Sequence, residues 1–193
     1  SEGPNKIREY LYCLADLFPE KTIIADLGDL QKGNSFYDTI IGLRDVVRYL
    51  KENDVFTLII GGTGVLKSAL VQALYDENKR TDFVTIEPAL SMFAEWPMLD
   101  KNTGENLMLE TVGTQAYYLI QEQLEWMKNK SFTDYRLGKV RENILNIEPV
   151  IRDAHLTTLS IDSIKHSDAP GQPESMPNGF YGEEVAQLAR FIG

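Results

Sequence analysis

The chain has 193 residues, 43% of them apolar and 25% charged, with a formal net charge of −10 at neutral pH; this size and balance fit one soluble globular domain with its own core and crowd out two. The acidic surplus excludes a non-specific nucleic-acid surface and an anionic-membrane surface, both of which repel negative charge, and points to a small polar ligand or a protein partner. Cys13 is the only cysteine, which rules out an intrachain disulfide and a cysteine-rich zinc site; no stretch approaches the ~20 consecutive apolar residues of a membrane span, Ser1-Glu2-Gly3-Pro4 carries no basic-then-apolar leader, and the expected setting is cytoplasmic.

Ile7, Leu11, Leu14 and Phe18 recur at helical spacing behind Gly3-Pro4-Asn5 and predict an amphipathic helix ending before Pro19. Thr22-Ile23-Ile24-Ala25 reads as a short buried strand running into a turn at Asp26-Leu27-Gly28-Asp29. Ile40, Leu43, Val47 and Leu50 mark the next helix. Thr57-Leu58-Ile59-Ile60 reads as a second buried strand, followed by Gly61-Gly62-Thr63-Gly64 and a helix carrying Leu66, Leu70 and Leu74. Phe83-Val84-Thr85-Ile86 is a third strand. Strands separated by helices define an α/β class with parallel pairing through right-handed crossovers, which gathers Gly61 to Gly64, Glu87 to Ser91 and Asp162 to Gly171 on one edge of the sheet.

Met92 to Asn106 reads as irregular, Met108 to Val112 as a strand and Thr114 to Lys128 as a helix. A charged helix over Arg136 to Leu145 leads through Glu148-Pro149 to a strand over Leu156 to Ile161. After the loop Gln172 to Phe180, Val185, Leu188 and Ile192 define a last helix. The chain has no internal repeat and no low-complexity segment.

Gly61-Gly62-Thr63-Gly64-Val65-Leu66-Lys67-Ser68 departs by one residue from a phosphate-binding loop, because Leu66 stands where G-x-x-x-x-G-K-[ST] needs its second glycine. Two readings follow: nucleotide binding through this loop, or a plain strand-to-helix turn with Lys67 solvated. The only histidines are His155, an ordinary polar residue before a strand, and His166, four residues from Asp162 in a loop. No spacing selects a Ser-His-Asp or Cys-His arrangement. Asp153, Asp168 and Glu174 fall near the loop edge, where carboxylates do acid-base work or are solvated. Phe93, Trp96, Tyr117, Tyr118, Phe180 and Tyr181 form an aromatic set suited to a pocket, an interface or the edge of the core.

Several segments carry a family likeness in order. Gly3-Pro4-Asn5-Lys6-Ile7-Arg8 resembles a GP-x-x-IR helix start, Ala25-Asp26-Leu27-Gly28-Asp29-Leu30 a strand-end D-x-G-D element, and Ser160-Ile161-Asp162-Ser163-Ile164 a Ser-x-Asp-x-Asp strand end. Arg136-Leu137-Gly138 through Glu148-Pro149 to Arg152-Asp153-Ala154, then Ser167-Asp168-Ala169-Pro170-Gly171 and Pro177-Asn178-Gly179-Phe180-Tyr181-Gly182-Glu183-Glu184, continue it to the end. Together they resemble the arginase, agmatinase and formimidoylglutamase family of ureohydrolases, its formimidoylglutamase-like branch above all.

The resemblance implies a three-layer αβα domain over residues 1–193 with a mostly parallel sheet, lacking the family's first and last strands; two readings follow, a piece of a longer protein or a homo-oligomer joined through the exposed edges. It also implies six ligands for two manganese ions: Gly-Gly-Asp-His after one strand, Asp-x-His-x-Asp after the next, and the two aspartates of Ser-x-Asp-x-Asp. This chain has Thr63-Gly64, then Glu87-Pro88-Ala89-Leu90-Ser91, then Asp162 with Ile164. Only Glu87 and Asp162 keep a charged ligand, enough for at most a weak Mn or Mg site. Glu184 matches the glutamate that holds a guanidino or formimino nitrogen, or it is a solvated carboxylate in the first turn of a helix. The expectation is a non-catalytic homologue binding a small guanidino or formimino ligand or a protein partner. The alternatives are an active metal-dependent hydrolase of a linear amidine C–N bond and a nucleotide-binding protein.

Overall fold

The computed structural model describes residues 2–14, 22–91, 93, 106–130 and 132–192. Helix α1 is Gly3–Leu11, α2 is Phe36–Glu52 and α3 is Lys67–Leu74. Strands β1 (Thr81–Ile86), β2 (Leu107–Thr114), β3 (Thr133–Arg136) and β4 (Leu156–Leu159) form one sheet in the order β3-β2-β1-β4, and every neighbouring pair is parallel. Helix α4 (Gln121–Asn129) connects β2 to β3, α5 (Leu137–Glu142) and α6 (Glu148–Arg152) connect β3 to β4, and α7 (Gly182–Ile192) closes the described chain.

Alternation along β1 sorts the core into two layers, since successive side chains of a strand point to opposite faces. Val84 and Ile86 join Val112 of β2 against α5, α6 and α7 through Leu137, Val140, Ile151, Leu188 and Phe191. Phe83 goes the other way, with Leu107 and Leu109, onto Val71 of α3 and Trp126 of α4. Helix α2 lies outside α3: Ile40, Leu43 and Val47, at helical spacing, pack on the small residues Ala69 and Ala73. Its start is fixed by a capping box in which the Asp38 amide donates to Ser35 Oγ at 3.1 Å and the Ser35 amide to Asp38 Oδ2 at 2.8 Å. Lys51 Nζ donates to the Leu74 carbonyl at 2.7 Å and caps the far end of α3. Near the end of β2, Gly113 has φ +89° and lies where a Cβ would stand 2.5 Å from the Phe180 ring, so the β2–β3 register shift and the burial of Phe180 both depend on a glycine there.

The α/β class, the parallel sheet and the helices on both faces are as expected, and so are the elements around residues 40–50, 67–74, 83–86, 108–112 and 185–192. The two strands expected at Thr22 to Ala25 and Thr57 to Ile60 are not strands. Neither pairs with any described strand, and Ile23, Phe56 and Leu58 are 93%, 82% and 75% exposed. Their β-branched composition suits a pleated, buried surface, but composition supplies no neighbour, and ladder bonds need one. Helix α1 ends at Leu11 and buries none of its residues. It is tied down by charge instead: Arg8 meets Asp26 Oδ2 at 2.6 Å and Asp29 Oδ1 at 2.7 Å. Phe18 lies outside the described residues, as do Trp96 and most of the irregular stretch 92–106. β2 continues to Thr114 and α4 begins only at Gln121, so the helix expected over 114–128 starts seven residues late and has nine residues. Strand β3 and helix α6 were not expected; β3 is a polar edge strand with no apolar alternation to betray it. β4 ends at Leu159, two residues before the expected Ile161, and Asp162 lies past the strand as expected, in a 3₁₀ turn over Ile161–Ser163.

Candidate functional site

At the C-terminal edge of the sheet the alternation of β1 continues past its end. Thr85 and then Glu87 follow Phe83 on the α3 face, and both are buried, Glu87 at 1% exposure. Lys67 begins α3 directly above them and is 7% exposed, so the expectation that it is solvated is overturned. Its ammonium uses all three of its donors: Glu87 Oε2 at 2.6 Å, Thr85 Oγ1 at 3.0 Å and Ser91 Oγ at 3.1 Å. Glu87 is equally satisfied. Thr85 Oγ1 donates to its Oε1 at 3.0 Å, and Ser91 adds its hydroxyl at 2.6 Å and its amide at 3.3 Å to Oε2. Thr158 of β4 joins the network by donating to Thr85 Oγ1 at 3.0 Å.

The loop after residue 60 closes on the same group. A Cβ built on Gly64 would stand 2.3 Å from Ser91 Oγ and 2.6 Å from Ser91 Cβ, so the two positions touch and neither leaves room for a larger side chain at 64. Ser68 Oγ turns back to the Val65 carbonyl at 2.9 Å. The expectation that Gly61 to Gly64 and Glu87 to Ser91 lie together is thus met through Gly64, Lys67, Glu87 and Ser91, although no strand precedes the first of these loops. Asp162 is near this edge, since the Ser160 amide donates to the Ile86 carbonyl at 2.9 Å. Its amide and Oδ2 both meet Ser160 Oγ, at 3.2 and 3.3 Å, while Oδ1 is buried with no hydrogen-bond partner, as is Nδ1 of His166. Ile164, where the resemblance implies a second aspartate, instead makes a bridge to Phe180. Among the described residues no group of three or more histidine, cysteine, aspartate or glutamate side chains is placed to hold a metal ion.

Glu184 lies in the first turn of α7, about a fifth exposed. Its Oε2 accepts the Tyr181 amide at 2.7 Å and Arg141 Nε at 3.2 Å. The same guanidinium donates to the Gly179 carbonyl and stacks on the Tyr181 ring at 4.6 Å from its centroid. Beside it a cleft of about 420 Å³ is lined by Gln115, Tyr117, Arg136, Arg141 and Asn178, among others. Of the other candidates, Asp168 caps α7 by accepting the Gly182 amide at 2.9 Å; that bond, then Ser167 Oγ at 2.8 Å, holds its carboxyl below the ordinary range. His155 meets β1 through the Asp82 amide, 3.1 Å from Nδ1. Asp153 and Glu174 are exposed. Phe180 is fully buried and Tyr117 stacks on Tyr118 at 4.6 Å. Sequence reasoning missed Lys67 and Arg141 as partners of the two candidate carboxylates; a lysine opening a helix beside Ala69 and Val71 was the only local signal, and it also fits a solvated lysine.

No protein-family model and no curated protein matches the sequence. Solved structures do match in shape. The formimidoylglutamase of Bacillus subtilis subsp. subtilis str. 168 superposes with a TM-score of 0.82 at 19% identity, over 99% of this chain and 68% of that one. A formiminoglutamase of Trypanosoma cruzi, solved with manganese, gives 0.79 at 16% identity over 97% and 71%, and the agmatine ureohydrolase of Thermoplasma volcanium gives 0.75 at 19% over 99% and 70%. The class defined by sheet and layers is a three-layer α/β protein. Within it, the chain has the arginase-like fold of the ureohydrolases.

Proposed function

We propose that this chain keeps the ureohydrolase fold without ureohydrolase chemistry. The observation that carries the reading is the contact between Gly64 and Ser91. By the resemblance these two positions carry an imidazole and a bridging carboxylate held apart by metal; here they touch, and the residues present do not fit a dinuclear centre. Thr63, Ala89 and Ile164 add nothing of use, since a threonine hydroxyl is a weak neutral donor and alanine and isoleucine are none. A hydroxide nucleophile at neutral pH needs the metals that lower the pKa of water, so loss of the donors removes the nucleophile too. The nucleotide-binding alternative is weakened by the engagement of every Lys67 donor within the protein.

A role in binding remains for the fold. Glu184 is our candidate contact for a guanidino or formimino ligand, which has to displace Arg141 to reach it. The uncovered apolar residues Ile23, Ile24, Phe56, Leu58 and Ile60 favour self-association as a second property, since exposed large apolar side chains gain by being covered; sedimentation across a concentration series tests it, and a monomer throughout excludes it. The test of the main reading is metal content by elemental mass spectrometry after equilibration with excess manganese, together with hydrolysis assays on formiminoglutamate, arginine and agmatine. No retained metal and no turnover is the expected result. About two ions per chain overturns the reading.

A further inference from the structure

Lys67 and Glu87 are the only buried charged residues among those described, and they are paired with each other. We propose that the Lys67 ammonium is a built-in cation occupying the electrostatic place of a metal on Glu87, so that the site is closed to divalent ions by its own side chain. This rests on the reading that the chain holds no dinuclear manganese. A buried carboxylate needs compensation, which a metal or a covalently attached cation can give.

Here the attached cation is complete in itself. Three ammonium protons meet three acceptors, and both Glu87 oxygens are filled by Lys67, Thr85 and Ser91. A divalent ion reaching Glu87 would stand against an ammonium 2.6 Å from the same oxygen and would have to strip its hydrogen bonds. The placement of Lys67 makes the dependence mutual. It is buried at the start of α3, where desolvation and, to a smaller degree, the helix dipole disfavour a cation, and the carboxylate beneath it offsets that cost. Through Thr85 and Thr158 the pair ties α3 to both β1 and β4.

Thermal melts of the full chain with and without excess manganese test this for Lys67→Met, Glu87→Gln and the double variant. The unaltered chain is expected to melt at the same temperature with or without manganese. Lys67→Met, which strands the carboxylate, should melt about 10 °C lower and regain part of that with manganese. The double variant should recover much of the loss with no metal present. Equal loss in the single and double variants, or no manganese response in Lys67→Met, overturns the proposal. If Lys67→Met yields no folded protein, the double variant decides alone: folding supports the coupling, and failure overturns it. Two manganese ions on the unaltered chain would sink the non-catalytic reading as well, whereas a metal-free chain with uncoupled variants sinks only this inference.

Discussion

Glu184 and Arg141 are 43 residues apart in sequence and 3.2 Å apart in space, so the carboxylate proposed as the contact for a guanidino ligand already holds a guanidinium of the same chain. Arg141 is kept there by two further contacts, the Gly179 carbonyl and the Tyr181 ring. Arg141→Gln should cost about 1 to 2 kcal/mol through loss of charge-assisted hydrogen bonds. It should also free Glu184. Calorimetric titration with arginine or agmatine is expected to give stronger binding to Arg141→Gln than to the unaltered chain, and equal or absent binding in both removes Glu184 as a ligand contact.

Asp168 makes a pH-dependent anchor for the same helix. Its folded pKa is lowered by the Gly182 amide and then by Ser167, so the ionised carboxylate favours the folded state. The stabilisation is therefore fully present above the ordinary aspartate value of about 3.9 and is lost as the pH falls through the lower folded value. Asp168→Asn should melt below the unaltered chain near neutral pH and converge with it in acid. A deficit that stays constant across that range would assign the effect to packing rather than to charge.

Glu110 has the opposite sign. It sits within β2, opposite Val84 of β1 and Thr133 of β3, where burial and then the charge of Asp82 push its carboxyl up. A raised carboxylate favours the folded state when protonated, so its ionisation weakens the fold above the folded pKa and the penalty disappears as the pH falls. Glu110→Gln is expected to raise the melting temperature near neutral pH by about 2 °C, with no gain in acid. Chemical-shift titration of the Glu110 side chain reads the same displacement directly.

What the sequence disclosed was whatever depended on local periodicity. The helical spacing of Ile40, Leu43 and Val47 and the apolar run Phe83 to Ile86 placed α2 and β1 correctly, because burying those residues is the reason the elements form. Ile23-Ile24 and Leu58-Ile59-Ile60 carry the same signal and are not strands, since a strand is defined by its neighbour as much as by its own residues. The site divides in the same way. Strand-loop-helix order brought residues 64 and 87 to 91 together in advance. The engagement of Glu87 by Lys67 and of Glu184 by Arg141 could not be read, because lysine and arginine are solvated in most contexts and only tertiary placement assigns them a partner.

The contact between Gly64 and Ser91 gives the sharpest structural test. A single Cβ at position 64 meets both Oγ and Cβ of Ser91 below any real contact distance, so one of the two loops must move. Ser91 is held in place by its hydroxyl and amide bonds to Glu87, and Gly64 leads directly into the turn that delivers Lys67. Gly64→Ala should therefore cost about 1 to 3 kcal/mol, the range of an overpacked interior. Ser91→Gly removes the obstructing atoms and also the two bonds of the hydroxyl, one to Glu87 and one from Lys67, while the backbone amide keeps its bond to Glu87, so it should be destabilising alone yet reduce the further cost of Gly64→Ala. Urea unfolding of the four members of this cycle measures the coupling. Additive losses would mean that the two loops are not in contact, and the space for a metal-binding histidine at position 64 would be open after all.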